Sequence, residues 1–357
     1  MGTNKSRLAS LHVRPVFAPD LIRGFFFFYL MTKNFWQKLP RPFFALAPMA
    51  DVTDAAFRRI VAKYGKSTRP EDWRGGPDVL WTEFVACDGL MSVGREHLMH
   101  NLSYTEEERP IVAQVFGAHP ENFEKTARFI RELGFDGIDI NMGCPERNIQ
   151  KQGAGASLIK TPKLAQEIIL ATMKGAGDMP VSVKTRIGYN KNELETWLPA
   201  LLETKPAAIT LHARTKKEMS DVPARWEHIA RAVEIRNELK SDTLIIGNGD
   251  IKTLEEGRQK AKETGCDGIM IGRGIFGNPW LFSDRKEEPT REEKFKVLLE
   301  HTYLFEEFFQ GTKNFAIMKK HYKAYVEGFP GAKELRIKLM EAENGREVER
   351  IILSFTR

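Results

Sequence analysis

Cysteine is scarce in this chain, and what there is does not pair. Cys87, Cys144 and Cys266 make an odd number with no C-x-x-C spacing. That argues against a disulfide framework and a structural zinc site, and fits a reducing cytoplasm. Long apolar runs are missing too. The most hydrophobic stretch, LIRGFFFFYLM at 21–31, falls well short of the ~20 residues a membrane span needs. The TKNFWQKLPRP that follows offers no small-residue cleavage site. We read 1–30 as an extension upstream of the fold, which then begins near Met31. Low-complexity tracts are absent, and neither sign of charge dominates: 54 Lys and Arg stand against 48 Asp and Glu, a net charge of +6. Such a balance permits a nucleic-acid partner without requiring one.

What the chain does have is alternation. Strand-like runs stand at 43–50, 78–85, 110–117, 137–144, 180–188, 208–214, 243–250 and 268–274. Helical patterns lie between them; PENFEKTARFIRELG (120–134), for one, opens on Pro and closes on Gly as helices prefer. Strands alternating with helices predict parallel pairing and right-handed crossovers. Eight such units predict a (β/α)8 TIM barrel. A doubly wound sheet is the second choice, but APMADVTD after the first run lacks its G-x-G-x-x-G turn. KSTRPEDWRGGPD (66–78) reads as a loop lengthening the first crossover, and SDRKEEPTREEK (283–294) as a linker. From 291 to 355 apolar residues recur only at helical spacing, which predicts a small all-helical C-terminal domain.

A parallel barrel gathers its functional groups at the C-terminal ends of its strands. Here those ends carry Pro48-Met49-Ala50, Glu83, Gln114, Asn141 with Cys144, Lys184 with Arg186, His212 with Arg214, Asn248-Gly249-Asp250 and Gly272-Arg273. The last two sets suit a phosphate, with glycines for close backbone approach and a fixed guanidinium charge. Taken with Lys184 and Gln114, they suit a flavin mononucleotide (FMN) across the barrel mouth. The alternative for Lys184 is a Schiff-base lysine or a plain surface lysine.

The ordered set APMADVTDAAFR, QVFG, DINMGCP, VKTRIG, LHART, GNGDI and DGIMIGRGIFGNPWLF resembles the tRNA-dihydrouridine synthase family from about residue 43 to 282. MKKHYKAYVEGFPGAKELR (318–336) resembles that family's C-terminal helical domain more weakly. The resemblance implies a flavin-bearing barrel at 31–284, a helical tRNA-binding domain at 285–357, and reduction of particular tRNA uridines with FMN and NADPH. It further implies that Pro48, Met49 and Ala50 line the flavin, Gln114 and Lys184 contact its ring, and His212 lies against it. Asn248, Gly249, Asp250, Gly272 and Arg273 would hold the ribityl-phosphate side, and Asn141 and Arg186 would face the uracil. Cys144 matches the catalytic cysteine: as hydride from flavin N5 reaches uracil C6, a thiol still protonated at neutral pH would deliver the proton to C5. The bland reading of Cys144, a buried inert side chain, fits poorly with its place after a strand end and before Pro145. Cys87 and Cys266 read as structural.

One departure stands in PERNIQKQG, where the family usually carries Lys or Lys-Lys and this chain has Arg147-Asn148. Residues 313–338 hold Lys313, Lys319, Lys320, Lys323, Lys333, Arg336 and Lys338 against only Glu327 and Glu334. The run reads either as an RNA-facing surface or as a solvated helix face. If tRNA is bound, its target base must leave the stack to reach the mouth. A reductase of free pyrimidines and a flavin-bearing tRNA-binding protein without turnover are the alternatives. The chain is expected to be a cytoplasmic monomer with neither membrane nor metal as partner.

Overall fold

The computed structural model describes residues 34–65, 76–283 and 285–356. The extension at 1–30 and most of the 66–78 loop lie outside the described residues. Nine strand segments make eight staves: β1 (Phe43–Leu46), β2 (Leu80–Trp81), β3 (Val85–Ala86), β4 (Ile111–Phe116), β5 (Gly137–Asn141), β6 (Val181–Arg186), β7 (Ala208–His212), β8 (Leu244–Asn248) and β9 (Gly268–Ile271). Every pairing is parallel, running from β1 through β9, β8, β7, β6, β5 and β4 to β2. The ring closes through a bridge between Ala45 and Val79, with Leu46 N donating to Val79 O at 3.3 Å and Asp78 N to Phe44 O at 2.6 Å. The expected barrel is therefore present.

The second stave is broken. β2 and β3 both pair with β4, and Thr82 spans the break: its N–H donates to Val112 O at 3.0 Å, while its hydroxyl accepts from Gln114 N at 3.1 Å. A side-chain oxygen thus stands in for a carbonyl and frees the chain to turn toward the mouth. Other strands stop one to four residues short of the apolar runs that announce them, because the following residues, such as Gly249 (φ +141°) and Asp250 (φ +60°), leave extended geometry.

Helices cover the outside: α1 (Ala55–Tyr64), α2 (Cys87–Leu90), α3 (Pro120–Glu132), α4 (Arg147–Lys151), α5 (Pro162–Ala176), α6 (Leu194–Leu202), α7 (Glu227–Glu238) and α8 (Leu254–Thr264). Two of them are capped as their sequences dictate: the Asp54 and Thr253 side chains accept N–H groups at the starts of α1 and α8, and Gly265 ends α8 at φ +71°. After β9 the described residues form no strand. Instead α9 (Arg291–Phe309), α10 (Met318–Tyr325), α11 (Ala332–Glu341) and α12 (Gly345–Thr356) pack around a second core of Phe295, Leu298, Phe305, Tyr322, Leu335 and Val348. α1 serves both cores, giving Ala56 and Ile60 to the helices and Phe57 and Val61 to the barrel. Among the described residues no helix is long and apolar enough to cross a membrane.

The basic run of the helical region is not uniformly free. Lys313 bonds Glu83 at 2.6 Å, with side chains only 10% and 8% exposed, and so ties the helices to the barrel mouth. Arg336 donates to Val326 O at 2.8 Å. These two are taken up by structure, whereas Lys320, Lys323, Lys333 and Lys338 face solvent.

Candidate active site at the barrel mouth

The C-terminal ends of the strands open onto a cavity of about 1050 Å³ lined by Pro48, Met49, Lys184, His212, Asn248, Gly249, Asp250, Gly272 and Arg273, among others. Nine of the eleven residues expected around a cofactor thus share one cleft. The other two do not line it. Ala50 is exposed on the turn after β1, and Gln114 is fully buried inside the barrel.

One end of the cleft is an arginine–aspartate cluster. Asp250 accepts from the Arg214 guanidinium, from Ala224 N at 2.8 Å and from Arg273 Nη2 at 3.0 Å. Burial pushes its carboxyl up, but these donors outweigh that and hold it below the usual range. Arg273 remains 62% exposed, so its charge is available to an anion. Gly249 is needed as glycine: at φ +141° a Cβ would stand 2.6 Å from that of Ala224. Gly272 lines the cleft beside Ala47 and Met49, where a Cβ would make only ordinary contacts, 3.7 Å to Ala47 Cβ and 3.8 Å to Met49 Sδ.

Lys184 donates to Asn248 Oδ1 at 3.2 Å, and Asn248 Nδ2 donates to Met270 O at 2.8 Å. Burial, then the nearby Arg186 charge, lower the Lys184 pKa to about 8, which leaves it largely protonated at pH 7. His212 is pushed down to about 2 by burial and by the charges of Lys184, Arg186, Arg214 and Arg273. It is neutral, and because Arg214 can only donate, His212 Nε2 accepts at 3.1 Å and the ring proton sits on Nδ1. The sequence places Arg214 at a strand end without a role; in the fold it orients both His212 and Asp250.

Cys144 lies beside this cleft, not in its wall. It is partly exposed on the loop after β5, and its N–H donates to Asn141 Oδ1 at 2.9 Å, next to that of Gly143 at 3.1 Å. Arg186 is buried and donates from Nε to Gly143 O at 2.8 Å and from Nη1 to Thr215 O and Met219 O, tying the cysteine loop to the loop after β7. Burial pushes the Cys144 thiol up, with Lys184 and Arg186 pulling weakly the other way, so the thiol holds its proton at neutral pH. The Gly-Ala run that follows has a steric cause: Gly155, at φ +59°, packs where a Cβ would meet Cys144 O and Ile149 Cγ2, each at 2.9 Å. Cys87 and Cys266 are buried. Sequence reading does not single out Asp139 and Ser182, which are buried beside Gln114 on the next two strands.

Comparison with known proteins follows the same lines. The family model described as dihydrouridine synthase (Dus) matches residues 45–355. A Bacillus subtilis (strain 168) protein named probable tRNA-dihydrouridine synthase 2 is 42% identical over 330 residues, 92% of this chain and 98% of its own length. A Staphylococcus aureus (strain COL) protein named probable tRNA-dihydrouridine synthase is 41% identical over 328 residues, 91% of this chain and 96% of its own. Among solved structures, morphinone reductase in complex with tetrahydroNAD aligns at 11% identity with a TM-score of 0.45, over 66% of this chain and 84% of that one.

Proposed function

The chain belongs to the dihydrouridine synthase family, and we propose that it reduces the C5=C6 bond of specific uridines in tRNA with FMN and NADPH. The observation that carries this reading is Cys144: a partly exposed thiol, held protonated by burial, beside a cleft lined by Lys184 and Arg273. Bound FMN would supply the hydride that goes to C6. The chain's own residues then have five tasks. Arg273, with the backbone at Asn248, Gly249, Asp250 and Gly272, holds the phosphate and ribityl side. Lys184 faces the ring edge where negative charge develops, and neutral His212 packs against the cofactor. Pro48 and Met49 form the remaining wall, with Ala50 on the exposed turn beside them and Gln114 buried in the barrel below. Asn141 and Arg186 hold the loop that brings Cys144 Sγ over C5 and limit the space left for the uracil. Sγ gives its proton to C5 as that carbon gains electron density.

Fit to a flavin is supported by the cleft's size, at the upper end of the ~300–1,000 Å³ usual for ligand sites, and by Gly249 in its lining, where no side chain fits. We assign tRNA contacts to the exposed Lys320, Lys323, Lys333 and Lys338 within a helical domain at 285–357, beside a barrel at 31–284, in a cytoplasmic monomer. The test is nucleoside mass spectrometry of unmodified tRNA incubated with the protein, FMN and NADPH. A uridine that gains two hydrogens with wild type, and far less with Cys144→Ala, is the expected result. No product on tRNA but turnover of a free pyrimidine would refute the polymer substrate.

A further inference from the structure

Three side chains on neighbouring strands meet inside the barrel, below the mouth. Gln114 pairs across the ladder with Asp139, and Asp139 with Ser182. Asp139 is 0% exposed, Gln114 0%, Ser182 1% and Asn141 7%. Such groups are held only if each donor finds an acceptor. Here Ser182 Oγ donates to Asp139 Oδ1 at 2.6 Å and Gln114 Nε2 to Asp139 Oδ2 at 2.7 Å. Asn141 Nδ2 in turn donates to Gln114 Oε1 at 3.0 Å, and Asn141 Oδ1 accepts the N–H groups of Gly143 and Cys144.

This chain of bonds has a direction, and it is set at its two ends: by Asp139 inside the barrel and by the donor-only N–H groups of Gly143 and Cys144 at the loop. An amide can present either its oxygen or its NH2, so Gln114 and Asn141 could each turn round. An ionised carboxylate can only accept. We propose that Asp139 is a positioning residue for Cys144: being acceptor-only, it turns Gln114 so that its oxygen faces Asn141, and thereby aims the Asn141 oxygen at the Cys144 amide. With the chain reversed, Gln114 oxygen would face the carboxylate and Asn141 NH2 would face two backbone N–H groups. The inference rests on the reading of Cys144 as the proton donor. Burial raises the Asp139 pKa to about 6 against the opposing effects of Ser182, Gln114 and Lys184, so the carboxylate is largely ionised at neutral pH.

The test is hydrogen exchange of the Cys144 amide in the full-length, FMN-loaded protein. Asp139→Asn keeps the shape but can donate as well as accept, so Gln114 is no longer held to one orientation from the barrel side, and the Cys144 amide should exchange up to about tenfold faster, as expected for one weakened hydrogen bond. The double variant Asp139→Asn/Gln114→Glu moves the acceptor-only group one step along the chain of bonds. The amide introduced at position 139 donates to the carboxylate introduced at position 114, whose other oxygen accepts from Asn141, and protection should return. Ser182→Ala leaves the carboxylate in place and should leave exchange within about twofold of wild type. Wild-type protection in Asp139→Asn overturns the proposal, as does a folded double variant with an unprotected amide. If Asp139→Asn does not fold alone, a folded and protected double variant supports the proposal, and a double variant that also fails to fold overturns it. Exchange reads the loop whether or not Cys144 gives the proton. A failed exchange test therefore sinks the chain of bonds alone, and an active Cys144→Ala sinks the acid alone.

Discussion

His301 on α9 and His321 on α10 are buried where the helical region meets the barrel, at 0% and 1% exposure. Their rings lie 4.6 Å apart, edge to face, and Phe57 of α1 lies 5.4 Å from one and 4.9 Å from the other. Among the described residues no ring nitrogen of either histidine finds a hydrogen-bond partner. Burial, assisted by the Lys320 charge, pushes the His321 pKa from 6.5 to about 3, and burial with the neighbouring His321 sends His301 well below its ordinary value. Both rings are neutral in the folded protein. On unfolding they regain an ordinary pKa, so the unfolded chain binds more protons below pH 6.5 and stability falls as pH drops through that value. At pH 5 the folded ring is still neutral, and the loss per histidine is about 2 kcal/mol, from ~1.5 pH units at ~1.4 kcal/mol each. Asp54 and Asp139 act in the opposite sense. Burial holds each at about 6, so their contribution rises as pH falls from 6 toward the 3.8 of the unfolded chain, which flattens the whole-protein profile. A variant isolates the histidine. His321→Leu should be at least as stable at pH 7.5, because it removes unsatisfied buried nitrogens. By pH 5 its advantage should have grown by about 2 kcal/mol in guanidinium denaturation. A gap that stays constant from pH 7.5 to 5 would refute the reasoning, since it would mean that His321 is protonated, or partnered, in the fold.

The buried pair of Lys313 and Glu83 gives another prediction. Lys313→Met removes the counter-charge and leaves the carboxylate only the Asp51 N–H, which should cost about 3 kcal/mol, while Glu83→Gln added to it should recover most of that, both read from denaturation midpoints at pH 7. Gly155→Ala forces a Cβ into Cys144 O at φ +59°. It should cost about 1–2 kcal/mol and speed alkylation of Cys144 by iodoacetamide as the loop lifts; an unchanged alkylation rate would show that Gly155 does not hold the cysteine loop.

The staves were legible because each is a short apolar run bounded by turn residues, a pattern that reports secondary structure locally. The mouth was legible for a related reason: polar residues at strand ends are conspicuous against such runs, and Lys184, His212, Arg214, Asn248, Asp250 and Arg273 do share one cleft. What stayed hidden depends on partners far away in the chain. WTEF reads as continuous strand, and the break at Thr82 is visible only once Gln114, 32 residues on, is seen to donate to its hydroxyl. Lys313 reads as one more cation in a basic run until its partner, 230 residues earlier, is in place. Asp139 is the most instructive case. In GIDIN it is the polar member of an alternating strand, and in an open antiparallel sheet that face would meet water. A closed barrel turns the same face inward, so the carboxylate is stable only because Ser182, 43 residues away, and Gln114 donate to it. Period is a local property of the chain, whereas the sign of a polar residue's environment is set by closure. The polar residues hardest to interpret from sequence are therefore those inside the staves, and here they are the ones that lead to Cys144.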